Sequence, residues 1–258
     1  MSYKRIVVKI GTNLLTERLC GLRIDFINGI AKQISNLNGG GKEILIVTSG
    51  AIGAGCTELG VKKSREIEVR QALAAVGQSD VMKAYHDAFS KYNVKVAQIL
   101  LTYEDFSNGK RYSNLHKAIE KLLSLGVIPV INENDVISVD EIGATFGDND
   151  KLSALVASKM KADLLVMLTD VDGLCDKNPK LAKDAKLIRK VNEVTKDIEK
   201  AAGKFGSAFS VGGMITKIKA AKMAMESGCD VVICNGRKKD VLERAISGKE
   251  GTLFTAKG

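Results

Sequence analysis

The feature that most restricts this chain is a short run of continuous apolar, largely β-branched residues that recurs and is broken each time by glycines or a polar cluster. Arg5–Ile10 (RIVVKI), Glu43–Val47 (EILIV), Val127–Ile131 (VIPVI), Ala162–Leu168 (ADLLVML) and Cys229–Asn235 (CDVVICN) all show it. Runs of this kind suit strands covered on both faces, which parallel sheets flanked by helices provide. Between them, apolar residues return at helical spacing. Arg23–Leu37 carries Ile24, Ile27, Ile30, Ala31, Ile34 and Leu37, and Ser64–Phe89, Asn108–Leu125, the stretch from Lys151, Ile218–Glu226 and Val241–Ile246 also read as helices. Tyr92–Leu101 and Thr252–Thr255 add strands, and the strand–helix alternation predicts an α/β fold. Gly77, inside the second helix, marks either a close contact or a break between two helices.

In an α/β sheet, ligands collect beyond the carboxyl ends of the strands. After Val127–Ile131 comes the cluster Asn132-Glu133-Asn134-Asp135, and a second cluster, Gly147-Asp148-Asn149-Asp150, abuts the helix from Lys151. The two loops are expected to converge on a small polar substrate, with backbone N–H groups of that helix start facing it. Val136–Phe146 alternates like a hairpin with Asp140-Glu141 at its bend, a candidate flap.

Two glycine turns feed helix starts. Thr48-Ser49-Gly50-Ala51-Ile52-Gly53 follows the second strand, and Val211-Gly212-Gly213-Met214-Ile215-Thr216-Lys217 opens a late helix. Such turns suit an oxyanion, and equally suit close helix–strand packing. Lys9 stands one place before the end of the first strand. It reads either as a cleft lysine reaching past the strand end or as a lysine blunting a sheet edge. Thr169-Asp170 ends the fifth buried run, and Lys177–Lys190 reads as an exposed loop. Two glycine loops, Lys9 and Lys217 beside them, and the carboxylates Asp148 and Asp150 are the parts for phosphoryl transfer, where positioning and charge neutralisation do most of the catalysis. Neither GxxxxGK[ST] nor GxGxxG occurs.

Composition narrows the class. The net charge of +9, from 39 basic and 30 acidic residues, is spread along helices rather than massed, and aromatics are 5% with no tryptophan. That pattern favours anionic small substrates over nucleic acid. Five cysteines without a CxxC pair, with only two histidines, argue against a structural zinc site and for reduced thiols in a cytoplasmic protein. No apolar run approaches the ~20 residues that cross a bilayer, so no membrane partner is expected.

Seven motifs then stand in order: Lys9-Ile10-Gly11-Thr12, Val47-Thr48-Ser49-Gly50-Ala51-Ile52, Leu73-Ala74-Ala75-Val76-Gly77-Gln78, Ile131-Asn132-Glu133-Asn134-Asp135, Gly147-Asp148-Asn149-Asp150, Thr169-Asp170 and Gly212-Gly213-Met214-Ile215-Thr216-Lys217. Together they resemble the motif set of the glutamate 5-kinases within the amino acid kinase family, over nearly the whole chain. The resemblance implies a three-layer αβα sandwich with a mostly parallel central sheet. It implies one kinase domain over residues 1–258, the N-terminal part mainly for substrate and the part from about 163 mainly for ATP; the C-terminal PUA domain that many members of the family carry is not expected here, a departure from the family pattern.

It further implies a transferase that phosphorylates the γ-carboxylate of L-glutamate with ATP and Mg²⁺, the first step of proline biosynthesis. Lys9 and Lys217 would stabilise the phosphoryl group in flight, and Asp150 would hold both ammonium groups. Ser49, Gly50, Ala51, Asn134, Asp135 and Asn149 would bind glutamate. Lys9, Gly11, Thr169, Asp170, Val211, Gly212, Gly213, Met214, Ile215, Thr216 and Lys217 would hold ATP, with Asp148 acting through the Mg²⁺ shell. A homo-oligomer and proline as a feedback inhibitor follow from the same resemblance, Val136–Phe146 matching the loop linked to that inhibition. Cys175 stands where the family pattern has an aromatic. A kinase for another acid, or an RNA-binding module, is the rival reading; Asp135 suits a free α-ammonium and disfavours a phosphate or an acetylated nitrogen.

Overall fold

The computed structural model describes residues 3–17, 21–138, 149–177, 179, 182, 184–199 and 213–256. They form two compact units: a continuous one, Ile10–Gly147, and a split one that joins Met1–Lys9 to Asp148–Gly258.

In the continuous unit, β2 (Glu43–Val47), β3 (Lys95–Leu101) and β4 (Val127–Glu133) are parallel, with β4 between the other two. β2 and β4 are buried along almost their whole lengths, whereas β3 is only half-covered, as suits its place at the sheet edge. β4 runs two residues beyond its apolar core because Leu100 and Leu101 of β3 register with Asn132 and Glu133. Half of the polar cluster expected in a loop is therefore strand, and the turn begins at Asn134, whose N–H donates to the Leu101 carbonyl at 2.8 Å. Ile137 and Ser138 fold back on the Asn134 carbonyl. The rest of the expected hairpin, 139–146, lies outside the described residues.

Helices α1 (Thr12–Leu15), α2 (Ile24–Gly39), α3 (Ala51–Glu58), α4 (Ile67–Ser90), α5 (Glu104–Ser107) and α6 (Gly109–Ser124) complete this unit. α4 runs unbroken through Gly77, so that glycine marks a contact and not a break. A Cβ on Gly77 would stand 2.0 Å from the Ala51 carbonyl oxygen, and one on Gly55 would stand 1.9 Å from that of Leu73. α3 and α4 thus cross backbone to backbone, and only glycine fits at either position.

In the split unit, β1 (Arg5–Ile10), β5 (Leu164–Thr169), β7 (Asp230–Asn235), β8 (Thr252–Phe254) and β6 (Lys190–Val191) lie side by side in that order. β5 and β7 are parallel, β8 is antiparallel to β7, and the two-residue β6 is too short for a sequence pattern to reveal. Asp163 fastens β1, accepting from the backbone N–H groups of Lys4 and Arg5 at 2.7 Å each. Leu174–Asp176 pairs with Lys186–Ile188, so part of the expected 177–190 loop is a clasp held by backbone bonds. α7 (Asn149–Lys159), α8 (Met214–Glu226) and α9 (Val241–Ile246) flank these strands. No described helix is long and apolar enough to cross a membrane.

Candidate active site

α7 and α8 set the geometry of the split unit's polar centre. Asp150 heads a stripe on α7 that continues through Ala154 and Ala157, and Lys217 heads one on α8 that continues through Ala221 and Ala224, each at i, i+4, i+7 spacing. All four alanines are fully buried. Side chains this small let the two helices pack closely, which brings the polar residue at the head of each stripe to the other.

The result is a buried cluster on one carboxylate. Lys9 Nζ donates to Asp150 Oδ1 at 2.5 Å; Lys217 Nζ and Thr216 Oγ1 donate to Oδ2 at 3.1 and 2.7 Å. Asp150 is 0% exposed, Lys9 4% and Lys217 6%. Lys9 is therefore no sheet-edge lysine; it ends in the interior. Burial alone would raise the Asp150 carboxyl, but the charges of Lys9 and Lys217 and the hydrogen bonds from Lys9 and Thr216 outweigh it and hold it well below the usual carboxylate range. Thr216 Oγ1 also lies 2.8 Å from the Gly213 carbonyl, so one hydroxyl proton is shared between two acceptors. Ser153 Oγ donates to the Asp150 carbonyl at 2.6 Å.

Both helices begin earlier than the apolar spacing suggests. α7 starts at Asn149, which places Asn149 and Asp150 in its first turn, where negative charge is favoured. α8 starts at Met214 after the extended Gly213, so Met214, Ile215, Thr216 and Lys217 belong to the helix and not to a loop. Their turn supplies backbone N–H groups that no helical carbonyl can take. Thr169 and Asp170 sit at the carboxyl end of β5, where the Gly236 N–H donates to the Thr169 carbonyl at 2.9 Å. Beside them Asp172 accepts from Asn235 Nδ2 and Lys238, and the buried Glu250 accepts from Lys238 and Arg244. Asp148, Val211 and Gly212 lie outside the described residues.

The continuous unit carries a second polar region. Asn134, Asp135, Glu133 and Gln78 line a cavity of about 310 Å³ at the carboxyl end of β4, walled otherwise by α4 and β3. Asp135 is 8% exposed, and burial first, then the neighbouring Glu133, pushes its carboxyl up to about 7 against the opposing pull of Arg70. Glu133 accepts from Ser138 Oγ at 2.5 Å. Ser49, Gly50 and Ala51 form the turn from β2 into α3; Gly50 has φ +101°, a left-handed conformation that a side chain would strain. Gly11 precedes α1. The sequence did not single out Thr216 as a partner of Asp150, nor Gln78 as a cavity residue. The alanine stripe below Lys217 was the available signal for the first; Gln78 ends the third of the seven motifs, which gave it no role of its own.

Among the described residues no group of three or more His, Cys, Asp and Glu side chains could hold a metal ion. Both Asp150 oxygens are already taken by donors, which suits a structural anion and not a metal ligand. Cys229 and Cys234 are buried, and burial pushes both thiols up to about 12, the reverse of what a reactive cysteine needs.

Comparison with known proteins adds the following. The model of the amino acid kinase family matches residues 4–235. A glutamate 5-kinase of Methanosarcina barkeri is 54% identical over 261 residues, covering 98% of this chain and 68% of that protein. One from Caldanaerobacter subterraneus is 48% identical, covering 97% and 67%. Among solved structures, carbamate kinase from Giardia lamblia bound to AMP-PNP matches with a TM-score of 0.69 at 15% identity, covering 98% of both chains. UMP kinase from Ureaplasma parvum matches at 0.66 and 19%, covering 99% of this chain and 100% of the other. At that identity, what is shared is the fold.

Proposed function

The chain belongs to the amino acid kinase family, among the glutamate 5-kinases, and we propose that it transfers the γ-phosphoryl group of ATP to the γ-carboxylate of L-glutamate, yielding L-glutamate 5-phosphate and ADP as the first step of proline biosynthesis. The observation that carries this reading is the Lys9–Asp150–Lys217 cluster. Two cationic side chains held on one buried carboxylate form a rigid pair of positive charges that needs no rearrangement as charge develops on the transferring oxygens. In the reaction a γ-carboxylate oxygen forms the new bond to the γ-phosphorus, the bond from that phosphorus to the bridging oxygen breaks, and ADP leaves with the electron pair. A glutamate carboxylate is ionised at neutral pH, so no general base is required. Asp150 acts as organiser, because its oxygens are occupied by Lys9, Lys217 and Thr216.

Asp135 and Asn134 would take the α-ammonium end of glutamate, with Ser49, Gly50, Ala51 and Asn149 supplying hydroxyl, backbone and amide donors to its carboxylates. Thr169, Asp170, Gly11 and the turn from Val211 to Lys217 would hold ATP, the first turn of α8 offering N–H groups to its phosphates. Mg²⁺ would arrive on those phosphates, with Asp148 acting through its water shell and the ion helping to neutralise their charge. Proline as an inhibitor, a homo-oligomeric state and a cytoplasmic location are part of the same proposal and rest on kinship with the glutamate 5-kinases.

The test is ATP and Mg²⁺ with L-glutamate and hydroxylamine, scoring γ-glutamyl hydroxamate against parallel reactions with N-acetyl-L-glutamate and L-aspartate. A larger signal with either competitor, or none with L-glutamate, overturns the reading.

A further inference from the structure

Gln78 is nine-tenths buried on α4, and its amide is oriented by one bond: Asn132 Nδ2 donates to Gln78 Oε1 at 2.8 Å. That bond assigns the oxygen to the Asn132 side and leaves Nε2 as the other edge of the amide. Among the described residues Nε2 has no hydrogen-bond partner, although it is buried. A buried donor left unsatisfied carries a free-energy penalty, so its persistence requires an explanation. Gln78 lines the same cavity as Asn134 and Asp135. The cavity lining therefore brings together an acceptor carboxylate and an orphan amide donor; among the described residues Glu133 is the other carboxylate there, and it accepts from Ser138 through Oε1.

A ligand that satisfies both must present a cation to one and an acceptor oxygen to the other on a small frame. An α-amino acid does so with its ammonium and its α-carboxylate. We propose that Gln78 Nε2 donates to the α-carboxylate of the substrate amino acid, and that Gln78 together with Asp135 selects a free α-amino acid over analogues altered at either group. The inference rests on the reading of the chain as a glutamate kinase. Asn132 becomes a positioning residue: it engages the amide oxygen and so leaves the donor for the substrate.

The test exchanges the donor for an acceptor while keeping shape. Gln78→Glu retains an oxygen for Asn132 and places a second one in the cavity, where it repels an α-carboxylate and can accept from an α-amide. L-glutamate and L-glutamate α-amide keep the same γ-carboxylate, so both are scored as hydroxamate, with Kd by isothermal titration where turnover is too slow. The expected result is a fall of about 10–100-fold in kcat/KM for L-glutamate, as for loss of a hydrogen bond to a charged group, with the α-amide spared or improved. Gln78→Leu, which removes the donor and adds no acceptor, should weaken L-glutamate without favouring the α-amide. Equal losses for both substrates in Gln78→Glu, or no loss for L-glutamate, overturn the proposal. Absence of any γ-glutamyl hydroxamate from the unmodified protein fails the kinase reading itself, a separate outcome.

Discussion

Lys9 and Asp150 form a buried ion pair at 2.5 Å although 141 positions separate them in the chain. One lies near the end of the first strand and the other in the first turn of a helix in the second half of the sequence, and Lys217 closes the group from a third element. Removing one member of such a cluster does more than delete a contact, since the others stay buried with unbalanced charge.

Lys9→Ala and Lys217→Ala are each expected to lower kcat by about 10²–10³ with far smaller changes in KM for glutamate, because their charge matters most as the phosphoryl group transfers. The double variant should lose less than the product of the single losses, since in the proposed reaction both lysines act on one transferring group. Asp150→Ala is expected to destabilise the fold by about 3–5 kcal/mol, leaving two buried lysines without their anion. Steady-state kinetics and urea unfolding check these outcomes.

Thr216→Val should lower kcat while Thr216→Ser restores most of it, because the hydroxyl 2.7 Å from Asp150 Oδ2 is one of the forces keeping that carboxyl low. The distinguishing readout is the pH profile. Loss of the hydroxyl weakens stabilisation of the charged carboxylate, so the acid limb of kcat should move to higher pH in Thr216→Val and not in Thr216→Ser. A uniform loss at every pH would assign Thr216 to helix packing alone.

Asp135 links binding and stability with opposite signs. Its carboxyl is raised to about 7 from the ordinary 3.8, so between about pH 4 and 7 the folded protein keeps a proton that the unfolded chain has lost. Stability of the ligand-free protein therefore falls as pH rises through that window, by roughly 4 kcal/mol at most above it. Asp135→Asn should raise Tm by several degrees at pH 8 and change it little at pH 4. The same substitution should raise KM for glutamate and leave KM for ATP nearly unchanged, and in the unmodified protein KM for glutamate should fall as pH rises from 6 to 8. Thermal melts with the two KM profiles decide it.

Gly77→Ala should destabilise by about 2–3 kcal/mol or more, since its Cβ would meet backbone atoms of α3 at 2.0 and 2.2 Å and backbone cannot rotate away as a side chain can. For a chain of this size that is a Tm loss of about 4–12 °C. Because α3 begins at Ala51, directly after Ser49 and Gly50, the displacement should also raise KM for glutamate.

Much of this was legible in the residues. Continuous β-branched runs marked β1, β2, β4, β5 and β7, because strands covered on both faces tolerate little polarity. Lys9, Asp150 and Lys217 were recognisable from ordered motifs, and the resemblance those motifs carry already placed both ammonium groups on Asp150; no local pattern of the residues does so, since the meeting depends on how α7 packs against α8. Asn132 and Glu133 looked like loop residues; the register with β3 made them strand, a non-local effect that no local pattern carries. β6 is two residues long, below the length at which alternation has meaning. Gln78 stayed hidden because its role depends on which end of an amide Asn132 engages.

The split unit also has a consequence for biosynthesis. A ribosome makes Lys9 early and Asp150 141 residues later, a gap on the order of ten seconds at roughly 5–20 residues per second. The whole of Ile10–Gly147 is contiguous and can condense during that interval. Lys9 must therefore wait, charged and without its carboxylate, while β5 and α7 are still being synthesised. One of the first side chains to leave the ribosome thus gains its buried partner only after more than half of the chain has been made.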